Sequence, residues 1–311
     1  MHPSAAWDLG GLVVRRVDET ALPPRTGAVL LPGATPAVMA AVAWLLPDFV
    51  RQDGTLRLHS HTFAWRADGL SVLVDTGIGN GKPRDDPAWD RLDTDYLLRL
   101  AGAGFPPEEV DLVILTHLHT DHVGWNTRDD GGRWVPTFPH ARHVVPRAEW
   151  DHWAGPATDA AHRQVLRDSV LPVRDAGLLD LVDVGDGPAE PAPGIRLLPV
   201  PGHTPGQVAV EVRGADRTAV IGADSVHHPV QVARPDLTSP TDTDPALSVR
   251  SRRALLGRLA GTDTLLLGTH FPPPTAGTVV PDGNTHRLVP VPGGNVSTSG
   301  SGAPLPWMGA A

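Results

Sequence analysis

His117, His119, Asp121 and His122 fall within six consecutive positions of the stretch THLHTDHVG, residues 116–124. Neither an amphipathic helix nor a half-buried strand calls for three imidazoles and a carboxylate at such spacing. In an extended segment His117 and His119 point the same way. Asp121 and His122 come after a turn and can aim at a second point. The chain has no cysteine, so any metal must be held by nitrogen and oxygen. That donor set suits zinc and, less exclusively, iron, manganese or cobalt. His203, Asp224 and His270 add three more candidate donors downstream. Grouped by spacing, one ion takes His117, His119 and His203, the other takes Asp121, His122 and His270, and Asp224 bridges the two. Two divalent ions sharing a hydroxide are a general hydrolytic arrangement: the pKa of the bound water falls toward about 7 and the second ion polarises the scissile group. Asp121 can also pass a proton to the leaving group.

Four short apolar runs must position these donors. DLVILT leads at once to His117, IRLLPV to Pro-Gly-His203, TAVIG to Ala-Asp224, and TLLLG to Thr-His270. Buried strands that shed their functional residues into loops at one end are how α/β proteins build sites. LVVRRV, LRLHSHTFAW and LSVLVDTG are further predicted strands; the last closes on Asp75-Thr76-Gly77, a turn signal. Helical spacing is predicted over 36–46, over 90–104 with Leu92, Tyr96, Leu97 and Leu100 in phase, from Arg147 onward, and over 245–260 with proline in the first turn.

The 311 residues, 41% hydrophobic and 20% charged, are enough for a sizeable core. A net charge of −9 argues against a non-specific nucleic-acid or membrane-surface binder. The opening MHPSAAWDLGGLVVRR has no charged region followed by a long apolar run. No uninterrupted apolar run approaches the ~18 residues that suggest a membrane span. The expectation is a cytoplasmic protein without membrane or nucleic-acid partners.

The four landmarks resemble the metallo-β-lactamase superfamily in kind and in order: T-H-L-H-T-D-H-V-G, P-G-H-T-P-G at 201–206, G-A-D at 222–224 and G-T-H at 268–270, with V-D-T-G at 74–77 similar to the family's upstream motif. The resemblance implies an α/β fold, the αββα four-layer sandwich of two mixed sheets flanked by helices, with metals in a cleft at one edge. Asp224 in the bridging position differs from true β-lactamases with this histidine set. His119 stands where the redox-active diiron members carry glutamate. The nuclease members normally carry a nucleic-acid-binding insertion, whereas this chain is acidic. VDTGIGNGKPR, DHVGWNT, VPRAEWDHW and ADSVHHPVQVARP resemble the hydrolases that include N-acyl homoserine lactonases and methyl parathion hydrolase. The implied function is a dinuclear hydrolase, zinc favoured, opening an ester or lactone of a small, apolar, uncharged substrate. Phosphotriester hydrolysis is the alternative. A non-catalytic metal-stabilised binding protein is a third reading, disfavoured because a structural zinc is usually closed by four ligands. The lactonases contact substrate through a tyrosine near the metals; the lone tyrosine here, Tyr96, reads as a half-buried helix residue.

Around the donors, Trp125, His227, His228 and Phe271 are expected as substrate contacts, and Asp75 as an acceptor that holds the His117 loop. His59 and His61 read as ordinary strand residues. Residues 1–292 read as one domain, with 1–50 an N-terminal extension able to form a homodimer contact and 293–311 a flexible tail.

Overall fold

The computed structural model describes residues 5–185 and 187–295. Its sheets follow from runs whose alternate residues face opposite apolar layers. In the strand Leu70–Val74, Val72 and Val74 join one core and Leu73 joins another. In Leu112–Ile114, Leu112 and Ile114 face the first core and Val113 the second. The strands Thr218–Ile221 and Leu265–Leu267 repeat the pattern: Ala219, Ile221, Leu265 and Leu267 share the core with Val72 and Val74, while Val220 and Leu266 turn the other way. One apolar layer therefore lies between two sheets.

The first sheet has eight strands in the order Gly294–Asn295, Ala5–Asp8, Val13–Ala21, His59–Ala67, Leu70–Val74, Leu112–Ile114, Arg142–Pro146, Leu179–Val182. It is antiparallel as far as Leu70–Val74 and parallel beyond. The second has seven: Ala189–Ala192, Ile195–Pro199, Val208–Arg213, Thr218–Ile221, Leu265–Leu267, Ala276–Asp282, Thr285–Pro290. Its only parallel pair among the described residues is Thr218–Ile221 with Leu265–Leu267. Parallel neighbours leave a sheet at the same edge. Asp75 and His117 are therefore delivered together by one sheet, and Asp224 and His270 together by the other.

Helices cover both outer faces. Tyr96 and Leu100, one turn apart on Tyr96–Gly102, pack on the first sheet with Val165, Leu166 and Val170. Leu255, Leu256 and Leu259 of Pro245–Leu259 pack on the second with Met39. The architecture is the αββα sandwich that the motifs imply.

Several local expectations change. The helix expected over 90–104 is confined to Tyr96–Gly102, because Arg91 adopts φ 49° and the preceding segment forms turns. The stretch 36–46 divides into Pro36–Ala40, capped by Thr35, and a separate turn at Ala43–Leu45, with Val42 between them at φ −121°, outside helical range. A helical run over 160–175, with a wide π turn at Leu166–Val170, was not legible from periodicity. Ala5–Asp8 and Val13–Ala21 are integral strands of the first sheet rather than an appendage. Gly294–Asn295 pairs with Ala5 and Ala6, so the sheet continues past the expected boundary at 292; residues 296–311 of the expected tail lie outside the described residues. Among the described residues no helix is long and apolar enough to cross a membrane.

Candidate metal centre

The loop after Leu70–Val74 places Asp75 at φ 56°, a left-handed conformation that aspartate tolerates better than most residues. Its carboxylate accepts from Thr116 N (2.8 Å), Thr116 Oγ1 (2.8 Å) and His122 Nδ1 (2.8 Å). Since Thr116 Oγ1 spends its proton on Asp75, it accepts from His117 Nδ1 at 3.0 Å. One buried carboxylate thus orients both ends of the histidine cluster.

The same logic repeats around the centre. His203 Nδ1 donates to Asp242 (3.0 Å) and His270 Nδ1 to the His59 carbonyl (3.0 Å). An acceptor at Nδ1 selects the tautomer whose Nε2 carries a bare lone pair. Those Nε2 atoms converge. His122, His203 and His270 Nε2 lie 3.4, 3.5 and 3.2 Å from the nearest Asp224 oxygen, and His117 Nε2 lies 3.9 Å away. His119 turns Nδ1 inward, 2.9 Å from His203 Nε2. Asp121 stands 3.4 Å from His270 Nε2 and 3.7 Å from His122 Nε2.

This arrangement fits divalent metal ions. His117 Nε2 and His122 Nε2 are buried with no hydrogen-bond partner, although buried polar atoms are ordinarily satisfied. Donor atoms lie within 4.8 Å of one another in His117–His119–His203, in His117–His122–Asp224 and in Asp121–His122–His270. Each Nδ1 bond to a carboxylate or carbonyl is the support that metal-ligating imidazoles receive. Electrostatics agree. Burial opposes charge on Asp224, yet the surrounding His270, His122 and His227 hold its carboxyl well below the usual range. Burial, reinforced by neighbouring imidazoles, holds His117 and His119 well below the ordinary histidine value, in the neutral form a cation requires. At His122 burial is overridden by Asp224, Asp75 and Asp121, which favour positive charge there.

His119, Asp121, His203 and Asp224 face a cleft of about 320 Å³. Its walls are apolar at Leu30, Pro83, Trp89, Ala161 and Val165, with Arg84 and Asp85, Asp86 and Asp159 beside them. The Arg84 charge is taken up by Asp168 through bonds of 2.7 and 3.0 Å.

All seven expected donors meet at this centre, and His227 joins them, its Nε2 3.2 Å from Asp224. Three expected substrate contacts do not. His228 is fully buried, its Nε2 on the Phe49 carbonyl (2.9 Å) and its Nδ1 accepting from Val230 N (3.0 Å), so it serves the backbone. Trp125 gives its Nε1–H to Glu19 (2.8 Å) and stacks on Tyr96. Phe271 is fully buried in the layer between the second sheet and its helices. The residues that follow the donor-bearing loops here turn into the interior. Tyr96 is wholly buried, with its hydroxyl 2.6 Å from Thr62 Oγ1.

Sequence reasoning missed three residues. Glu149, fully buried, accepts from Leu118 N (3.0 Å), Trp153 Nε1 (2.6 Å) and Gly206 N (3.0 Å), tying the His117–His119 loop to the His203 loop. A Cβ at Gly206 would sit 2.1 Å from Glu149 N, so this approach needs glycine. Asp242 orients His203, as described. His162 lines the cleft, stacked on Trp153 at 3.4 Å. Glu149 alone carried a signal: an acid beside Trp150 at the start of a predicted helix.

Comparison with known proteins agrees with this geometry. The description "Metallo-beta-lactamase superfamily" matches residues 56–270, and the chain belongs to that superfamily. Among curated relatives, the N-acyl homoserine lactonase AttM of Rhizobium radiobacter is 31% identical over 136 residues, 41% of this chain and 46% of that protein. An N-acyl homoserine lactonase of a Bacillus species is 32% identical over 148 residues, 43% and 50% respectively. The chain thus spans about half the length of the curated relatives it matches. Of solved structures, the hydrolase AbOPH of the beta lactamase superfamily superposes with TM-score 0.75 at 21% identity, covering 94% of this chain and 98% of that one. AidC, described as a dizinc quorum-quenching lactonase, gives 0.73 at 21% identity, covering 93% and 97%. At that identity these likenesses speak for the fold.

Proposed function

We propose that the chain is a metal-dependent hydrolase that opens an ester or lactone, with two divalent ions, zinc favoured, held by His117, His119, Asp121, His122, His203, Asp224 and His270. The observation that carries this reading is the convergence of oriented imidazoles and two carboxylates on the floor of an open cleft. Metal ions bound there would supply a water acidified to a nucleophile at neutral pH and an electrophile for the scissile oxygen.

The chain's own residues do the rest. Asp121, its side chain 10% exposed and lining the cleft, is the carboxylate from which a proton reaches the leaving oxygen. Leu30, Pro83, Trp89, Ala161 and Val165 take an apolar acyl portion and exclude water from it. Arg84, the one lysine or arginine lining the wall among the described residues, is paired with Asp168 and so offers an anionic substrate little attraction. The curated lactonases, which share part of their length with this chain, favour a lactone.

The test is metal analysis of the purified protein followed by relative kcat/KM on lactones, aryl esters, aryl phosphotriesters and β-lactams. Preference for lactones or esters, with none for β-lactams, is expected. Less than one tightly bound ion per chain, with His119→Ala changing neither metal content nor hydrolysis, would sink the proposal. The apolar walls of the cleft also admit a phosphotriester, and a phosphotriester lead in the same panel would move the reading there.

A further inference from the structure

Buried histidines away from the centre give at least one ring nitrogen to the backbone: His228 uses both, His143 Nδ1 donates to the Ala141 carbonyl and His61 Nε2 to the Gly268 carbonyl, each at 3.0 Å, and the other nitrogen of His143 and of His61 is left unmet. His227 gives neither. It is fully buried, and both of its ring nitrogens lack a hydrogen-bond partner. At the centre, the other buried Nε2 atoms in that condition are those of His117 and His122, which face the metal positions. His227 Nε2 stands nearer to Asp224 than either of them, 3.2 Å against 3.9 and 3.4 Å. Its ring lies 4.8 Å from that of His203, and the donor atoms of His203, Asp224 and His227 fall within 4.8 Å of one another. The placement is held by the chain: His227 N donates to Gln231 Oε1 at 2.8 Å, and Gln231 Nε2 donates to the Leu237 carbonyl at 2.9 Å.

We infer that His227 is an eighth donor of the metal centre, giving Nε2 to the ion that His203 and Asp224 also hold. The inference rests on the reading that the centre binds metal, and goes beyond it by naming a ligand outside the seven. A buried imidazole with both nitrogens unmet is a standing cost, and a cation at Nε2 removes the Nε2 share of it. Another nitrogen donor makes that position richer in imidazole. It should therefore favour zinc, cobalt or nickel over manganese and magnesium, which prefer oxygen. Unlike the four histidines tied at Nδ1, His227 has no acceptor behind it. It is therefore more easily released than those four, able to leave coordination room for another group.

The experiment titrates the metal-free full-length protein with cobalt, comparing wild type with His227→Ala. Ligand-field absorption reports the coordination, and competition with a chelator reports affinity. Loss of a nitrogen ligand should change the visible spectrum and weaken one ion by at least about tenfold, with added imidazole restoring both. A variant that folds and binds cobalt as tightly, with a superimposable spectrum, overturns the inference. Should the variant not fold, ring-nitrogen NMR of histidine-labelled wild type with and without zinc decides: the His227 Nε2 resonance must move on binding, and an unmoved resonance overturns the inference. Wild type that binds no metal overturns the metal reading itself, and this one with it.

Discussion

The two sheets contribute to the centre in different ways. The first sheet delivers His117, His119, Asp121 and His122 on a single loop, where chain spacing alone brings them near one another. The second delivers His203, Asp224 and His270 on three separate loops, with His227 following Asp224. On the first side the support is a dedicated carboxylate, Asp75, which grips Thr116 and His122 at once. On the second each donor has its own prop: Asp242 behind His203, Thr269 on Asp224 at 3.1 Å, and the His59 carbonyl behind His270. Glu149 is the side chain that grips a ligand loop from each side. Half of the centre is therefore local and half depends on how one sheet sits on the other.

The largest expected effect tests whether the local half carries chemistry as well as metal. Asp121→Asn should lower kcat by about 10²–10⁴, with the protein still folded. Metal content and kcat measured together decide it; a fall in metal with unchanged turnover per bound ion would reduce Asp121 to a ligand.

The joint between the halves comes next. Glu149→Ala removes the acceptor of Leu118 N and Gly206 N and should weaken metal binding by roughly 10–100-fold. Asp242→Ala, which touches only the second side, should weaken it within the same range but spare the ion held by Asp121, His122 and His270. Chelator competition resolved for the two ions sharpens the comparison, and equal weakening of both ions by Asp242→Ala would break it.

A smaller effect lies under the first-sheet side. Lys82 is fully buried, 2.7 Å from Thr127 Oγ1 and with Asp168 3.9 Å away, and burial lowers its pKa to about 7. In the unfolded chain it keeps its proton to about 10. Between these values the unfolded state binds more protons, so the contribution of Lys82 to stability rises with pH, by at most about 1.4 kcal/mol per unit. Urea melts of wild type and Lys82→Met at successive pH values from neutral upward should show the difference moving in favour of wild type. A difference independent of pH would refute the assignment.

Smallest is Ala223→Gly. Ala223 precedes Asp224 at φ 48°, a conformation that costs an alanine about 1–2 kcal/mol. Glycine removes that strain but adds unfolded-state entropy of roughly 0.4–1 kcal/mol. Stability should rise by no more than about 1.6 kcal/mol in thermal or urea melts, with metal affinity unchanged. A marked loss of affinity would mean that the alanine itself, rather than the packing around it, holds Asp224 in place.

The local half was legible because its information is local. A run such as DLVILT can only be buried, and three imidazoles with an aspartate directly after it have no packing use. The donors of the second sheet were legible for the same reason, each directly after an apolar strand. Misassignment concentrated where the outcome depends on which of several partners lies opposite. Trp125 and Phe271 sit beside ligands in the chain, yet their rings found Glu19 and the helix layer behind the second sheet. His227 and His228 are neighbours of one type, and the chain direction alone sends one to Asp224 and the other to the Phe49 carbonyl. Glu149 could not be ranked above other acids until Leu118 and Gly206 were seen to close on it from both sheets.

Sequence by itself thus determined the family, the strand cores and which seven histidines and aspartates would gather at one place, because strand burial and side-chain chemistry are properties of short segments. Only the tertiary structure decided which side chains support those donors and which face the cleft. Hydrogen-bond partners drawn from both sheets are chosen by the packing of one sheet on the other, and no local segment encodes that distance.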